Sequence, residues 1–228
     1  MEGKLIVFEG VEGSGKSTQI LHLKRWLQTH AGFQHLQSQG IIPALIVTRE
    51  PGGTSLGTAL RSLLLESQSA VPLQSQAELL LYAADRAQHV EEVIRPALQA
   101  GSWVVCDRFI DSTVAYQGYG RGLSLSLIEQ LNQIATQGIS CHLTLWLQLN
   151  AEAGLARSQS RGQLDRMEQA NLQFHQQVQQ GFEALAVQYP ERIVPIDATP
   201  REMTVAQQIQ TVVEQRLQAW YGTHLQAY

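Results

Sequence analysis

Short apolar runs alternate with segments of helical spacing along the chain. Residues 4–9, K-L-I-V-F-E, form an apolar run that ends at glycine and predicts a buried strand. From Lys16 to about His30, the apolar positions Ile20, Leu23, Trp26 and Leu27 recur at helical spacing. Residues 42–48 read as a second strand, and residues 56–66 and 76–99 as helices, with Pro96 expected to kink the last turns of the latter. Residues 102–107 predict a third strand, 125–136 a helix followed by Gly138, and 142–149 a fourth strand. Residues 168–188 place Phe174, Val178, Phe182 and Leu185 on one helical face. A short fifth strand over 192–196 precedes a final helix over 203–220, whose start is marked by Thr199-Pro200. Residues 31–40 carry the weakest pattern and read either as an extended helix end or as a surface loop.

Strands alternating with helices predict an α/β fold, with a mostly parallel, doubly wound sheet covered on both faces. In such folds ligands bind beyond the carboxyl ends of the strands. The polar motifs at those ends are therefore the candidates for chemistry.

Composition narrows the classes. At 228 residues the chain is long enough for one sizeable core and short for two full domains. Sixteen Lys and Arg against twenty Asp and Glu give a formal net charge of −4, which does not suit a protein that coats a nucleic-acid backbone. The two cysteines, Cys106 and Cys141, sit in apolar runs that read as strands and look like small buried hydrophobes. No signal-peptide pattern and no membrane-length apolar stretch is present, so the expected setting is cytoplasmic, with neither membrane nor nucleic acid as a partner.

The most specific local pattern is Gly10-Val11-Glu12-Gly13-Ser14-Gly15-Lys16-Ser17-Thr18, which matches G-x-x-x-x-G-K-S. Glycines let the backbone curl so that its N–H groups face phosphate oxygens, and the following helix adds its positive end. Lys16 is placed to reach the β and γ phosphates, and the Ser17 hydroxyl to ligate Mg²⁺. The loop alone does not separate kinases from switches or motor ATPases. The guanine-reading N/T-K-x-D and the L-S-G-G-Q of ABC-type ATPases are both missing from the sequence, which favours an acceptor-specific kinase.

Four further segments point to an acceptor. Thr48-Arg49-Glu50-Pro51-Gly52-Gly53-Thr54 follows the second strand, and Arg49 offers a planar guanidinium suited to a monophosphate. Asp107-Arg108 closes the third strand, Asp107 as a Mg²⁺-side carboxylate and Arg108 as a phosphate clamp. Tyr82 and Arg86, four apart on a helix, can stack on a base and bond its edge, although a core tyrosine with a surface arginine is the bland alternative. The polar stretch 157–166 suits a lid that closes over phosphates and excludes water.

Together these segments resemble the thymidylate kinase family. The resemblance is carried by F-E-G-V-E-G-S-G-K-S-T at 8–18, T-R-E-P-G-G-T at 48–54, L-Y-A-A-D-R-A-Q-H at 81–89, D-R-F-I-D-S-T-V-A-Y-Q-G at 107–118 and R-G-Q-L-D-R-M-E at 161–168. It implies a P-loop fold of the nucleoside monophosphate kinase type, with a five-stranded parallel sheet, as a single unit over 1–228 with a lid segment at about 154–167. It also implies transfer of the γ-phosphoryl group of ATP to dTMP, giving dTDP for dTTP synthesis, with Mg²⁺ and a homodimer. By that resemblance Arg49 and Arg108 bind the acceptor phosphate, and Glu12 approaches the sugar 3′-hydroxyl and the metal. Tyr82 stacks on thymine where relatives usually carry phenylalanine. Arg86 donates to O4, Thr113 and Gln117 lie at the base edge, Tyr116 crowds the 2′ position, and Glu168 is a lid-adjacent carboxylate on the metal side.

Some relatives carry an arginine inside the phosphate loop. Here that place is Gly13, so the resemblance assigns the missing positive charge to the lid, first to Arg161 and then to Arg157 and Arg166. Lys16, Arg108, Glu12 and Arg161 are thus the expected catalytic set. A kinase for another nucleoside monophosphate or a deoxynucleoside, and a non-catalytic P-loop switch, are the alternatives.

Overall fold

The computed structural model describes residues 2–65, 73–160, 162 and 165–225. Five strands, β1 (Lys4–Glu9), β2 (Leu45–Arg49), β3 (Trp103–Asp107), β4 (Leu143–Gln148) and β5 (Ile193–Asp197), pair in the order β2-β3-β1-β4-β5, every pairing parallel. The central strands are buried almost throughout, as expected for a sheet covered on both faces. The chain runs to opposite sides of β1, so the strand order reverses at its carboxyl end, where Glu9 leads into the glycine-rich loop.

Helices α1 (Lys16–Thr29), α2 (Ala31–Ser38), α3 (Ser55–Leu65), α4 (Ser75–His89) and α5 (Arg95–Gln99) come from the first half of the chain. They are followed by α6 (Ile110–Thr113), α7 (Leu125–Thr136), α8 (Ala151–Gln159), α9 (Leu172–Gln188) and α10 (Glu202–Leu225). The larger core cluster joins Phe8, Leu23, Leu27, Trp103 and Leu145 to Val178, Phe182, Val213 and Tyr221. A smaller cluster packs Leu5, Val7 and Cys106 against Val90, Ile94 and Leu98. No helix among the described residues is long and apolar enough to cross a membrane.

Several boundaries differ from the sequence reading for identifiable reasons. The 31–40 segment is mostly helix α2, capped by the His30 side chain on the Phe33 N–H (3.2 Å) and anchored by buried Phe33 and Leu36. β2 starts at Leu45, not residue 42, because Pro43 lacks a ladder donor. The 76–99 helix is continuous, but a wider π turn over Val90–Ile94 takes up the irregularity that Pro96 imposes. α9 begins at Leu172, not 168, because the Asn171 side chain caps the Phe174 N–H (2.9 Å). Cys141 lies just ahead of β4, not within it, buried beside Arg192 and Thr144. The polar 157–166 stretch is helical as far as Gln159, as the end of α8. The pattern also did not predict α6, which runs on as a π helix over Val114–Gly120.

Candidate active site

The glycine-rich loop curls between β1 and α1. Gly10 and Gly13 adopt φ of 142° and 69°, a region that disfavours side chains. The Lys16 ammonium folds back into the loop and donates to Gly10 O (3.0 Å), Val11 O (3.1 Å) and Ser14 Oγ (3.4 Å). Burial and the neighbouring Arg108 lower its pKa to about 8, against the pull of Glu12 and Asp107. Ser17 Oγ donates to Asp107 Oδ2 (3.1 Å), and Asp107 Oδ1 is buried with no partner among the described residues. A hydroxyl beside an unsatisfied carboxylate oxygen is a hard-oxygen pair that fits Mg²⁺. Among the described residues no three His, Cys, Asp or Glu side chains form a cage.

Gly13 faces α8 with nothing between the two backbones. A Cβ on Gly13 would overlap the Gly154 carbonyl oxygen, and a Cβ on Gly154 would overlap the Glu12 carbonyl oxygen. An arginine at position 13 therefore has no room, which gives a structural reason for glycine there. Gly13→Ala is expected to destabilise the fold by at least about 2 kcal/mol, adding positive-φ strain to overpacking against backbone. The melting temperature should drop by roughly 5 °C or more for a chain of this size. A thermal melt unchanged within a degree would refute the tight contact.

At the end of β3, Arg108 has φ 69°, a left-handed conformation that turns the chain sharply after Asp107. Its terminal nitrogens donate to Gly10 O (3.2 Å), Ser112 Oγ (3.0 Å), Glu12 Oε1 (2.8 Å) and the Tyr116 hydroxyl (3.0 Å). Its guanidinium also lies over the Tyr116 ring. Burial alone would raise the Glu12 carboxyl, but Arg108, then Lys16 and the Tyr116 hydroxyl, outweigh it and hold the pKa at about 2. Behind this pair, buried Glu9 accepts from Phe109 N, Ser112 N and Ser112 Oγ, and fixes the turn that carries Arg108.

Arg86 is held by a buried relay. Its Nε donates to Glu50 Oε2 (2.8 Å), and its terminal nitrogens to Asn132 Oδ1 (2.8 Å) and Phe109 O (3.0 Å). His89 Nδ1 contacts Glu50 Oε1 (2.9 Å) and its Nε2 contacts Thr48 Oγ1 (2.6 Å). Gly52 N donates to Asp85 (3.0 Å), and a Cβ on Gly53 would strike His89. The T-R-E-P-G-G-T loop and the D-R-A-Q-H turn of α4 thus interlock. Among the described residues, two of the five Arg86 N–H donors have no partner and remain for a ligand.

Two connected hollows follow from this framework. A cleft of about 770 Å³ is lined by Gly13, Gly15, Lys16, Ser17, Thr18, Arg49, Asp107, Arg108 and Glu168. Arg49 is exposed there at the end of β2. Glu12, Glu50, Arg61, Arg108 and Asp165 line both this cleft and a deeper pocket, whose walls include Tyr82, Arg86, Thr113, Tyr116, Gln117 and Met167. A third hollow, lined by Gly13, Ser14, Gly15, Thr18, Arg157 and Pro200, flanks the other side of the loop.

The lid arginines separate. Arg157 donates to Ala198 O (3.0 Å) and Thr199 O (3.4 Å) in the third hollow. Arg166 is tied to Leu64 O (2.6 Å) and Glu78 Oε2 (2.6 Å). Arg161 lies outside the described residues. Arg61, Glu50, Glu78 and Arg121 were missed in the sequence. Of these, Glu78 carried a signal, since it stands four residues before Tyr82 on the face that bears Tyr82 and Arg86.

Comparison with known proteins agrees with this geometry. A family model described as thymidylate kinase matches residues 8–209. Thymidylate kinase of Cyanothece sp. (strain PCC 7425 / ATCC 29141) is 57% identical over 97% of this chain and 97% of its own length. That of Trichodesmium erythraeum (strain IMS101) is 54% identical over 96% and 99%. The crystal structure of thymidylate kinase from Ehrlichia chaffeensis superposes with a TM-score of 0.73 at 32% identity, covering 93% of this chain and 100% of that one. A phosphate loop facing an arginine-lined second pocket across one parallel sheet, with relatives matching end to end, means that the chain belongs to the thymidylate kinase family.

Proposed function

We propose that this chain transfers the γ-phosphoryl group of ATP to dTMP, with the triphosphate in the Lys16 cleft and the nucleoside in the Tyr82–Arg86 pocket. One observation carries the reading: both hollows share Arg108 and Glu12, so two phosphate-bearing ligands would meet at one guanidinium. A switch protein has no use for a second phosphate site.

The monophosphate dianion is already a competent nucleophile, so no general base is required. The protein aligns two anions that repel each other and offsets charge on the transferring group. The loop N–H groups of Gly10 to Thr18 cradle the triphosphate, and Lys16 exchanges its loop carbonyls for phosphate oxygens. Arg49 and Arg108 hold the acceptor phosphate. Glu12, kept ionised by Arg108, lies where a sugar hydroxyl would approach. Tyr82 covers the base, Arg86 donates to O4, Thr113 and Gln117 take the base edge, and Tyr116 limits room at the 2′ position. Mg²⁺, which Ser17 and Asp107 would hold with Glu12 and Glu168 near, supplies charge neutralisation on the phosphates.

The lid is proposed as the segment at about 154–167, with Arg157 and Arg161 completing the positive charge over ATP and excluding water. The same reading places the enzyme in dTTP synthesis, in the cytoplasm and as a homodimer. Leu56, Leu63 and Leu80, exposed on α3 and α4, support a dimer face there.

A coupled ADP-release assay across dTMP, dUMP, dCMP, dGMP and thymidine tests the assignment. The expected order places dTMP first by at least about tenfold in kcat/KM, with unphosphorylated thymidine inert. A preference for thymidine, or ATP hydrolysis indifferent to every monophosphate, would refute it.

A further inference from the structure

The base pocket depends on a carboxylate that never reaches it. Glu78 is fully buried in α4, outside the pocket wall. Its Oε1 accepts from Gln117 Nε2 at 2.8 Å and from Arg121 Nε at 3.3 Å. Its Oε2 accepts from Arg121 (3.2 Å) and Arg166 (2.6 Å). We infer that Glu78 is the positioning residue that sets which end of the Gln117 amide faces the base, and so selects a pyrimidine bearing N3–H.

The logic is one of donors and acceptors. An ionised carboxylate only accepts, so the Gln117 NH₂ must face Glu78. The two guanidiniums secure that charge. Burial alone would raise the Glu78 carboxyl, but its bonds to Gln117 and Arg121, then Arg166, bring it below the ordinary value. With the NH₂ committed, the Gln117 carbonyl oxygen is the end left for the pocket that Gln117 lines. An acceptor there pairs with the N3–H of thymine or uracil and opposes the N3 lone pair of cytosine. Arg86, with its two spare N–H donors, complements O4 in the same sense and opposes the cytosine amino group. The selection is against cytosine, and thymine and uracil are alike to it.

The inference rests on the proposed seating of the base beside Gln117, and the experiment separates the two. Steady-state kcat/KM is measured for dTMP, dUMP and dCMP. In Glu78→Gln the partner no longer demands a donor, the Gln117 amide is free to turn, and the dTMP-to-dCMP ratio should fall about tenfold or more. The dTMP-to-dUMP ratio should stay within about twofold. Arg121→Met removes a cation from the cluster but keeps the Gln117 bond, so it should lower stability and leave the dTMP-to-dCMP ratio in place. Parallel loss on all three substrates, or an equal collapse of that ratio in Arg121→Met, would make Glu78 a structural ion partner and overturn the inference. Gln117→Leu tests the seating itself: an unchanged ratio removes the base from Gln117 and the inference with it. A collapse there with no change in Glu78→Gln overturns the inference alone. Should Glu78→Gln not fold, Glu78→Asp withdraws the carboxylate by one methylene while keeping its charge. The ratio should then fall in the same direction, and an unchanged ratio overturns the inference.

Discussion

Lys16→Met is expected to lower kcat with ATP and dTMP by about three orders of magnitude while leaving the fold nearly intact. The ammonium is buried and, among the described residues, bonded only within its own loop, to Gly10 O, Val11 O and Ser14 Oγ. Two of those acceptors keep another donor when it is gone. Gly10 O still receives Arg108 (3.2 Å) and Val11 O still receives Ser14 N (3.4 Å). Met preserves the apolar stem, so the stability loss should be about 1 kcal/mol or less. Under the proposed assignment, what disappears is a preorganised positive charge beside the phosphates, and removing one such group usually costs about 10² to 10³ in kcat. Because charge builds on the transferring group, the loss should fall on kcat more than on KM.

A pH profile gives an independent readout of the same side chain. Burial and Arg108 set the free-enzyme pKa of Lys16 at about 8, so the ammonium is intact below that pH. The parent kcat/KM for ATP should fall as pH rises through about 8, approaching tenfold per unit, and Lys16→Met should lack that limb. A variant turning over within tenfold of the parent would remove Lys16 from the reaction.

The phosphate loop was legible because its chemistry is local: nine consecutive residues fix the turn, the anion cradle and the helix start. Arg49, Asp107 and Arg108 were legible for another reason. In a parallel sheet, residues at strand carboxyl ends converge, so a strand pattern that ends in Asp-Arg locates both side chains. Helical spacing put Tyr82 and Arg86 on one face but left a core tyrosine with a surface arginine equally open, and the family resemblance supplied the expected role. All of these line the two hollows that the fold brings together.

The residues that hold them were hidden, because their partners come from other elements. Arg86 is fixed by Glu50 and Asn132, 36 and 46 residues away, and Gln117 by Glu78, 39 residues away. No pattern within one helix or strand encodes such pairings. Helices α6 and α8 were missed because they are short, with too few turns to build a visible stripe. The α8 start is held by two side chains, Asn150 Oδ1 accepting from Glu152 N at 2.8 Å and Gln179 Oε1, from α9, accepting from Ala151 N at 3.0 Å. The proposed lid rests on composition only. Three arginines in ten residues predicted a cationic cover, while Arg166 instead joins Glu78 and the end of α3.

Arg108→Met is the second large expected effect, and its two consequences can be told apart. Under the proposed assignment Arg108 touches the acceptor phosphate, so its loss should lower kcat by about 10³ and raise the KM for dTMP. Arg108→Lys, which restores charge without a planar pair of donors, should recover only part of this. The second consequence is structural. Arg108 is the main counter-charge of Glu12, and without it a largely enclosed carboxylate keeps, among the described residues, the weaker support of Lys16, the Tyr116 hydroxyl and His175. A stability loss of about 2 kcal/mol is expected at pH 7. The sign with pH follows from Glu12. Its folded pKa, about 2, lies below the ordinary 4.5, so the pair stabilises the fold fully above pH 4.5 and loses that contribution as pH falls towards 2. The gap in urea midpoint between parent and variant should therefore be widest near neutrality and narrow at pH 3. Binding of dTMP, measured by calorimetry where both proteins are folded, isolates the phosphate contact from the fold. A variant that keeps parental dTMP affinity and kcat within tenfold would show that Arg108 serves Glu12 alone. A gap in urea midpoint that does not narrow on acidification would show that the Glu12 pair is not what the guanidinium stabilises.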